Sequence, residues 1–281
     1  MTTAPVNRII PFSSVDGPGN RTVFFFQGCN FNCGYCHNPE TIHLCNHCGA
    51  CLSVCPTGAI RMEDGEVHYR RETCCACDAC LHACPRDSSP KIDWMEPEQA
   101  LEILRQNRPF IRGVTVSGGE CTLQRDFVLR LFEGAKEMGL QTLMDSNGNY
   151  DFAADETLLR VCDGVMLDVK CFDPVAHRAL TGQDNKLVLK SLSFLASAGK
   201  LEEVRTVIVP DRLPNEDTVR SVCAILSPYW QTGAQIGYKL IRFRPLGVRE
   251  SFRGIPMPCE SSMEELRSIA LNAGCNRIEV L

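Results

Sequence analysis

Three cysteines, Cys29, Cys33 and Cys36, stand in the run Gly28-Cys-Asn-Phe-Asn-Cys-Gly-Tyr-Cys-His-Asn38 with spacing C-x3-C-x2-C. A structural zinc site closes with four ligands, and no fourth cysteine follows at zinc-site spacing inside this loop. Three thiolates can instead hold three irons of a cubane [4Fe–4S] cluster and leave the fourth iron open to an outside ligand. An open iron is where chemistry takes place, so Cys29, Cys33 and Cys36 are the candidate catalytic set.

A second cysteine pattern follows, in two copies. Cys45, Cys48, Cys51 and Cys55-Pro56 repeat as Cys74, Cys77, Cys80 and Cys84-Pro85, each C-x2-C-x2-C-x3-C-P. This is the run of two-cluster bacterial ferredoxins, in which the fourth cysteine of each copy ligates the other cluster. Cys45, Cys48 and Cys51 are therefore expected to share one [4Fe–4S] cluster with Cys84, and Cys74, Cys77 and Cys80 a second with Cys55. Two zinc ribbons would use the same residue type but give no reason for the paired Cys-Pro endings. Cys75 has no assigned role. The pattern and the shift in composition mark residues 40–92 as an inserted ferredoxin-like segment.

The remaining composition restricts the function classes. At 281 residues the chain can bury a substantial core. A net charge of −5 without a basic tract gives no footprint for nucleic acid. No apolar run approaches the ~20 residues of a membrane span, and the N-terminus carries no signal pattern, so a cytoplasmic protein is expected. Eighteen cysteines in a reducing compartment point to metal rather than disulfides.

Arg21 to Gln27 is a continuous β-branched and aromatic run, expected as a buried parallel strand with the cysteine loop at its C-terminal end. After the insert a helix starts at Pro97. Strands at 114–117, 140–144, 164–169, 204–209 and 239–243 then alternate with helices at 126–138, 156–161, 187–198 and 216–226. A last helix is expected to begin at a capping box, Ser262 to Glu265, and to stop at Gly274. Such alternation implies a parallel sheet. Periodicity alone leaves a doubly wound sheet and an open barrel equally defensible. No G-x-G-x-x-G follows the first strand, so a Rossmann site is unsupported.

The C-x3-C-x2-C loop after an apolar strand resembles the radical S-adenosylmethionine (SAM) superfamily. Gly17-Pro-Gly19-Asn-Arg21, Phe25, Gly28-Cys29 and Cys36-His37-Asn38-Pro39 resemble the signature of its glycyl radical enzyme activating enzymes. Ile9–Ser13 with Val15–Gly19, Asp145–Gly148, Cys162–Gly164 with Met166–Asp168, and Leu180–Gly182 with Asp184-Asn185 are similar to the YjjW-type branch. The resemblance implies a partial (β/α)6 barrel over residues 1–39 and 93–281, with the ferredoxin-like segment inserted after the cysteine loop. It implies reductive cleavage of SAM to a 5′-deoxyadenosyl radical, which takes hydrogen from a glycine in the C-terminal loop of a partner glycyl radical enzyme. Three [4Fe–4S] clusters and a flavodoxin or ferredoxin reductant go with it.

The same resemblance implies roles for residues at strand ends. Gly118, Gly119 and Glu120 would hold the SAM amino group, and Tyr35 and His37 would lie beside its adenine. Asp145, Ser146, the Met166 carbonyl and Asp168 match a Na+ or K+ site, while Lys170 and Arg205 would neutralise carboxylate charge near the methionyl group. Arg205 opens Arg-Thr-Val-Ile-Val-Pro210, where Asp211 replaces the family's glycine, and Arg244 stands where formate-lyase activases carry histidine. Two other functions share parts of this pattern. A radical SAM enzyme could act on a small molecule or another protein side chain, and a ferredoxin-like electron carrier would use the clusters without cleaving SAM.

Overall fold

Ala4–Ser13 forms strand β1, which Pro5, Asn7 and Pro11 disguise in the sequence. It pairs antiparallel with β2, Arg21–Phe26, with irregularities between Val6 and Arg8 and between Ile10 and Ser13. Only Ala4–Val6 also pair with a further strand, β5 at Asp93–Met95, so Pro11 lies where that side of β1 is open and no ladder donor is missing. The computed structural model describes residues 2–281. It contains two compact units, Met1–Asn30 with Asn38–Leu140 and Phe31–His37 with Gln141–Leu281.

In the first unit β2 runs between β1 and a parallel partner, β6 at Gly113–Gly118. Flanked on both edges and covered on both faces, β2 is buried at every position except Phe25, which explains its unbroken apolar run. Its first residue is the exception to type, since Arg21 is fully buried. The guanidinium donates to Thr115 Oγ1 at 2.8 Å, to the Val114 carbonyl at 2.9 Å and to the Pro18 carbonyl at 3.2 Å. Helices α2 (Pro97–Asn107) and α3 (Arg125–Glu137) follow the expected apolar spacing. Within residues 40–92 lie a small hairpin, β3 (Ile60–Glu63) and β4 (Glu66–Tyr69), and a four-residue helix, α1 (Ala79–His82).

The second unit is a parallel sheet of β7 (Gln141–Ser146), β8 (Gly164–Asp168), β9 (Leu201–Ile208), β10 (Gly237–Arg242) and β11 (Ile278–Val280). Each strand pairs with its successor in the chain. A doubly wound sheet reverses its strand order at a switch point; this stepwise order does not, and it follows the barrel alternative. The crossovers are α4 (Glu156–Val161), α5 (Pro174–Thr181) with α6 (Lys186–Ser197), α7 (Asn215–Gln231), and α8 (Glu250–Arg253) with α9 (Glu260–Asn272).

Several boundaries differ from expectation, the longest being α7, which runs on to Gln231. Helix α9 starts at Glu260 with Cys259 as its N-cap residue, so Ser262 lies inside the first turn and makes no capping box. β9 begins at Leu201, because Leu201 already pairs with Val165. Among the described residues no helix is long and apolar enough to cross a membrane.

Candidate functional site

The cysteine loop leaves β2 under main-chain control. In the first unit, Gly28 N–H donates to the Thr41 carbonyl at 2.8 Å and Cys29 N–H to the Ile42 carbonyl at 2.9 Å. The Gly118-Gly119-Glu120 turn braces the same point. Gly118 has φ +118°, and a Cβ there would lie 2.2 Å from Phe26 N; a Cβ on Gly119 would lie 2.1 Å from the Gly28 oxygen. These glycines are needed for the approach of two backbones to each other. Glu120 N–H donates to the Gly28 carbonyl at 2.8 Å, and its buried carboxylate accepts from Thr122 N–H at 3.1 Å and Thr122 Oγ1 at 2.8 Å.

In the second unit the loop rests on the C-terminal turn of α5. Asn32 N–H donates to the Thr181 carbonyl at 2.8 Å and Gly34 N–H to the Leu180 carbonyl at 3.0 Å. Arg249, just before α8, grips the Asn32 carbonyl and its side-chain oxygen. Cys33 is buried, and burial pushes its thiol up to about 11 despite the opposing pull of the Lys170 ammonium. Lys170 pairs with Asp168 at 2.8 Å and lies 5.8 Å from the centre of the Tyr35 ring. Its burial favours loss of the proton, yet Asp168, Tyr35 and Cys33 together hold it well above the ordinary lysine range.

Strand register explains the second charged group. Asp145, Met166 and Glu203 are in register across β7, β8 and β9, and Asp168 is level with Arg205. The Arg205 guanidinium passes the Met166 sulfur at 3.1 Å to reach Asp145 at 3.0 Å, and its Nε meets Glu203 at 2.6 Å. Lys239 from β10 takes the other Glu203 oxygen at 3.0 Å. Ser146 Oγ accepts from Gly148 N–H at 3.1 Å. Asp145 and Asp168, expected at a cation site, thus face Arg205 and Lys170.

Tyr35 is buried with Leu180, Val209, Phe243 and Val248, its ring edge-on to Phe252. Its hydroxyl has no hydrogen-bond partner among the described residues. His37 is exposed and its Nε2 lies 3.1 Å from the Arg244 carbonyl; the Arg244 side chain itself is exposed. Asp211 takes φ +57°, a left-handed conformation that glycine adopts freely.

The radical SAM superfamily model matches residues 23–222. The chain is 31% identical over 266 residues to the choline trimethylamine-lyase activating enzyme of Oleidesulfovibrio alaskensis, covering 87% of this chain and 85% of that one. It is 32% identical over 269 residues to the pyruvate formate-lyase-activating enzyme of Streptococcus mutans, covering 92% and 84%. The chain belongs to the radical SAM superfamily, among its glycyl radical enzyme activating enzymes. This activating enzyme therefore uses a [4Fe–4S] cluster and SAM and acts on a partner glycyl radical enzyme. The crystal structure of Streptococcus suis SuiB shares its fold, with a TM-score of 0.58 at 11% identity over 92% of this chain and 48% of SuiB.

Residues 40–92 of the activating enzyme gather their cysteines around two cavities. Cys45, Cys48, Cys51 and Cys84 line one with Ser88 and Pro90. Cys55, Cys74, Cys75 and Cys77 line another with Tyr69 and Lys91. Cys80 borders both. The two copies also bend alike. His47 and Gly49 have positive φ in the first, Ala76 and Asp78 in the second, and the residue two after the leading cysteine donates its N–H to that sulfur at 3.4 Å in each. Among the described residues no three His, Cys, Asp or Glu side chains gather around a single metal ion.

Three residues that matter here escaped the sequence reading. Gln27 ends the strand run, His177 lies in α5, and Glu203 is the second carboxylate on Arg205. The Asp173-Pro174 start and Gly182 stop of α5 were legible signals; the partners of Gln27 and Glu203 depend on strand pairing.

Proposed function

We propose that this activating enzyme places a radical on the glycine of a partner's C-terminal loop, using three [4Fe–4S] clusters and SAM. Bound at the open iron, SAM supplies on one-electron reduction a 5′-deoxyadenosyl radical that removes the glycine hydrogen. Cys29, Cys33 and Cys36 hold that cluster. The observation that carries the reading is Cys33 itself, buried beside a charged Lys170 on a loop seated by main-chain hydrogen bonds on Leu180 and Thr181. Burial raises the Cys33 thiol and iron binding would require its thiolate, so loading would release a proton.

Lys170 and Arg205 then present charges held in place by Asp168, Asp145 and Glu203 to the SAM carboxylate. Gly118, Gly119 and Glu120 would hold its amino group and Tyr35 and His37 would take its adenine, and the Arg244 carbonyl fixes the His37 ring for that role. A monovalent cation at Asp145, Ser146, Met166 and Asp168 would compete with Arg205 and Lys170 for the same carboxylates; the fit is poor and no step is assigned to it.

Residues 40–92 form the ferredoxin-like insert in a barrel of residues 1–39 and 93–281, and relay electrons from a flavodoxin or ferredoxin. The two cavities support this, because Cys84 of the second copy joins Cys45, Cys48 and Cys51 at one and Cys55 of the first copy joins Cys74, Cys77 and Cys80 at the other, and a cubane takes one thiolate per iron around a shared centre. Anaerobic incubation of the reduced, reconstituted protein and SAM with candidate glycyl radical enzymes tests the reading. A glycyl radical doublet in the electron paramagnetic resonance (EPR) spectrum is expected with one of them. 5′-Deoxyadenosine formed without a doublet on any partner would point to a different substrate.

A further inference from the structure

Gln27 is fully buried at the last position before Gly28-Cys29, and nothing above explains a buried amide there. Its Nε2 donates to the Glu40 carbonyl and to the His43 carbonyl, both at 2.6 Å, while its Oε1 accepts from Asn7 at 2.9 Å. The same two carbonyls receive the far end of the insert. Ser89 N–H donates to Glu40 at 2.9 Å and Ser88 Oγ to His43 at 2.7 Å, and His43 forms a parallel bridge with Ser88. Both ends of residues 40–92 therefore converge on one side-chain amide.

That convergence orders the two insert sites. Cys45 follows His43 by two residues and Cys84 precedes Ser88 by four, and Ser88 itself lines the cavity of Cys45, Cys48, Cys51 and Cys84. Ile42, beside His43, accepts the Cys29 N–H at 2.9 Å. A short run of covalent and hydrogen bonds thus joins Cys29 to the first cavity. The second cavity, with Cys55, Cys74 and Cys77, meets the first through Cys80. Lys91 borders the second cavity together with Asp78, its ammonium 2.5 Å from that carboxylate, and charges beside a cluster tune its potential.

We propose that the site of Cys45, Cys48, Cys51 and Cys84 is the proximal relay to the loop cluster, that the Lys91 site is the distal one, and that Gln27 is the positioning residue that sets the gap between relay and loop. The inference rests on the three-cluster reading above. In each step one electron leaves the donor and one cluster is reduced. A low-potential one-electron donor reduces the distal cluster, which reduces the proximal one, which reduces the loop cluster. Electron tunnelling falls off steeply with distance, so loosening the staple slows the last transfer.

The test uses the full chain, reconstituted anaerobically, with iron counted before spectra are read. Three clusters require about twelve irons per chain. In the fully reduced protein a neighbouring paramagnetic cluster broadens the EPR signal of the loop cluster. Cys77→Ala, which empties the distal site, should keep this broadening, and Cys48→Ala should lose it. Gln27→Met keeps the side chain's length without its donors. It should retain its iron, show weaker broadening, and reduce its loop cluster at least about tenfold more slowly in stopped-flow mixing with reduced flavodoxin.

The opposite pattern, with broadening lost in Cys77→Ala and kept in Cys48→Ala, overturns the order. A Gln27→Met protein with wild-type broadening and rate overturns the staple. If either cysteine variant empties the whole insert, Gln27→Met decides the positioning and a Lys91→Met shift in the midpoint of only one cluster decides the order. A shift in the cluster coupled to the loop would overturn it. Wild-type protein with about four irons would remove the three-cluster reading and this proposal with it, an outcome the iron count alone reveals.

Discussion

Replacing Gly119 with alanine tests whether the Gly118–Glu120 turn sets the position of the first cluster ligand. The added methyl would stand 2.1 Å from the Gly28 carbonyl oxygen, 2.6 Å from its carbon and 2.9 Å from the Thr41 oxygen. All three are backbone atoms, so no side chain can swing aside. Moving the nearest atom from 2.1 Å to an ordinary 3.4 Å contact requires a displacement of about 1.3 Å. Gly28 is tied by its N–H to Thr41 and by its carbonyl to Glu120, and the next residue is Cys29, so the shift passes into the ligand.

Overpacking of this kind costs about 1–3 kcal/mol, which a domain of this size survives, whereas a misplacement of ~1 Å at a reacting centre costs about 100-fold in rate. Gly119→Ala should therefore keep its far-ultraviolet circular dichroism but load less iron and form 5′-deoxyadenosine at least about 100-fold more slowly under dithionite. Gly254→Ala, where nothing lies within 4 Å of the new methyl, is the matched control. Full iron and a wild-type rate in Gly119→Ala would refute the positioning argument.

Arg205→Met removes the cation between Asp145 and Glu203, two carboxylates that are largely buried. Breaking a buried pair costs about 3–5 kcal/mol, though Glu203 retains Lys239, so the low end applies. At about 2 °C or more per kcal/mol the melting temperature should fall by at least about 6 °C, with a smaller loss in Arg205→Lys; an unchanged melt would contradict the network. His177 is buried with Nδ1 3.0 Å from the Gln183 carbonyl, and burial lowers its pKa below the ordinary 6.5. The unfolded chain then binds the proton more readily, so this contribution is complete above pH 6.5 and is lost as pH falls through the lowered value. His177→Phe should flatten the acid limb of stability measured by urea unfolding; an unchanged slope would show that other groups set it.

The family of this chain was legible because the ligands expected for it are rare residues at fixed spacing. Cys29, Cys33 and Cys36 and the two four-cysteine runs stand out whatever the fold, and the Asp173-Pro174 and Gly182 signals of α5 were there to be read. What bears on those cysteines was harder to see. Gln27 reads as the polar end of an apolar run, and only the return of residues 40–43 and 88–89 to the end of β2 makes it a shared donor. The partners of Arg205 within the chain were equally hidden, because parallel register is what sets Met166 and Asp145 on one side of it and Glu203 on the other. Strand β1 was missed because its two prolines argue against a central strand, and most of it is not one. The glycines of Gly118-Gly119 also make room for Phe26 and Gly28, a backbone approach that no sequence pattern displays.

The most direct measurement is 5′-deoxyadenosine formed from SAM by the anaerobically reconstituted, dithionite-reduced protein, compared with its Cys29→Ala, Cys33→Ala and Cys36→Ala variants. The wild type should cleave SAM, and each variant should lose cleavage while the insert keeps its iron. Continued cleavage by the Cys33→Ala protein would contradict the assignment of the reacting iron to this loop.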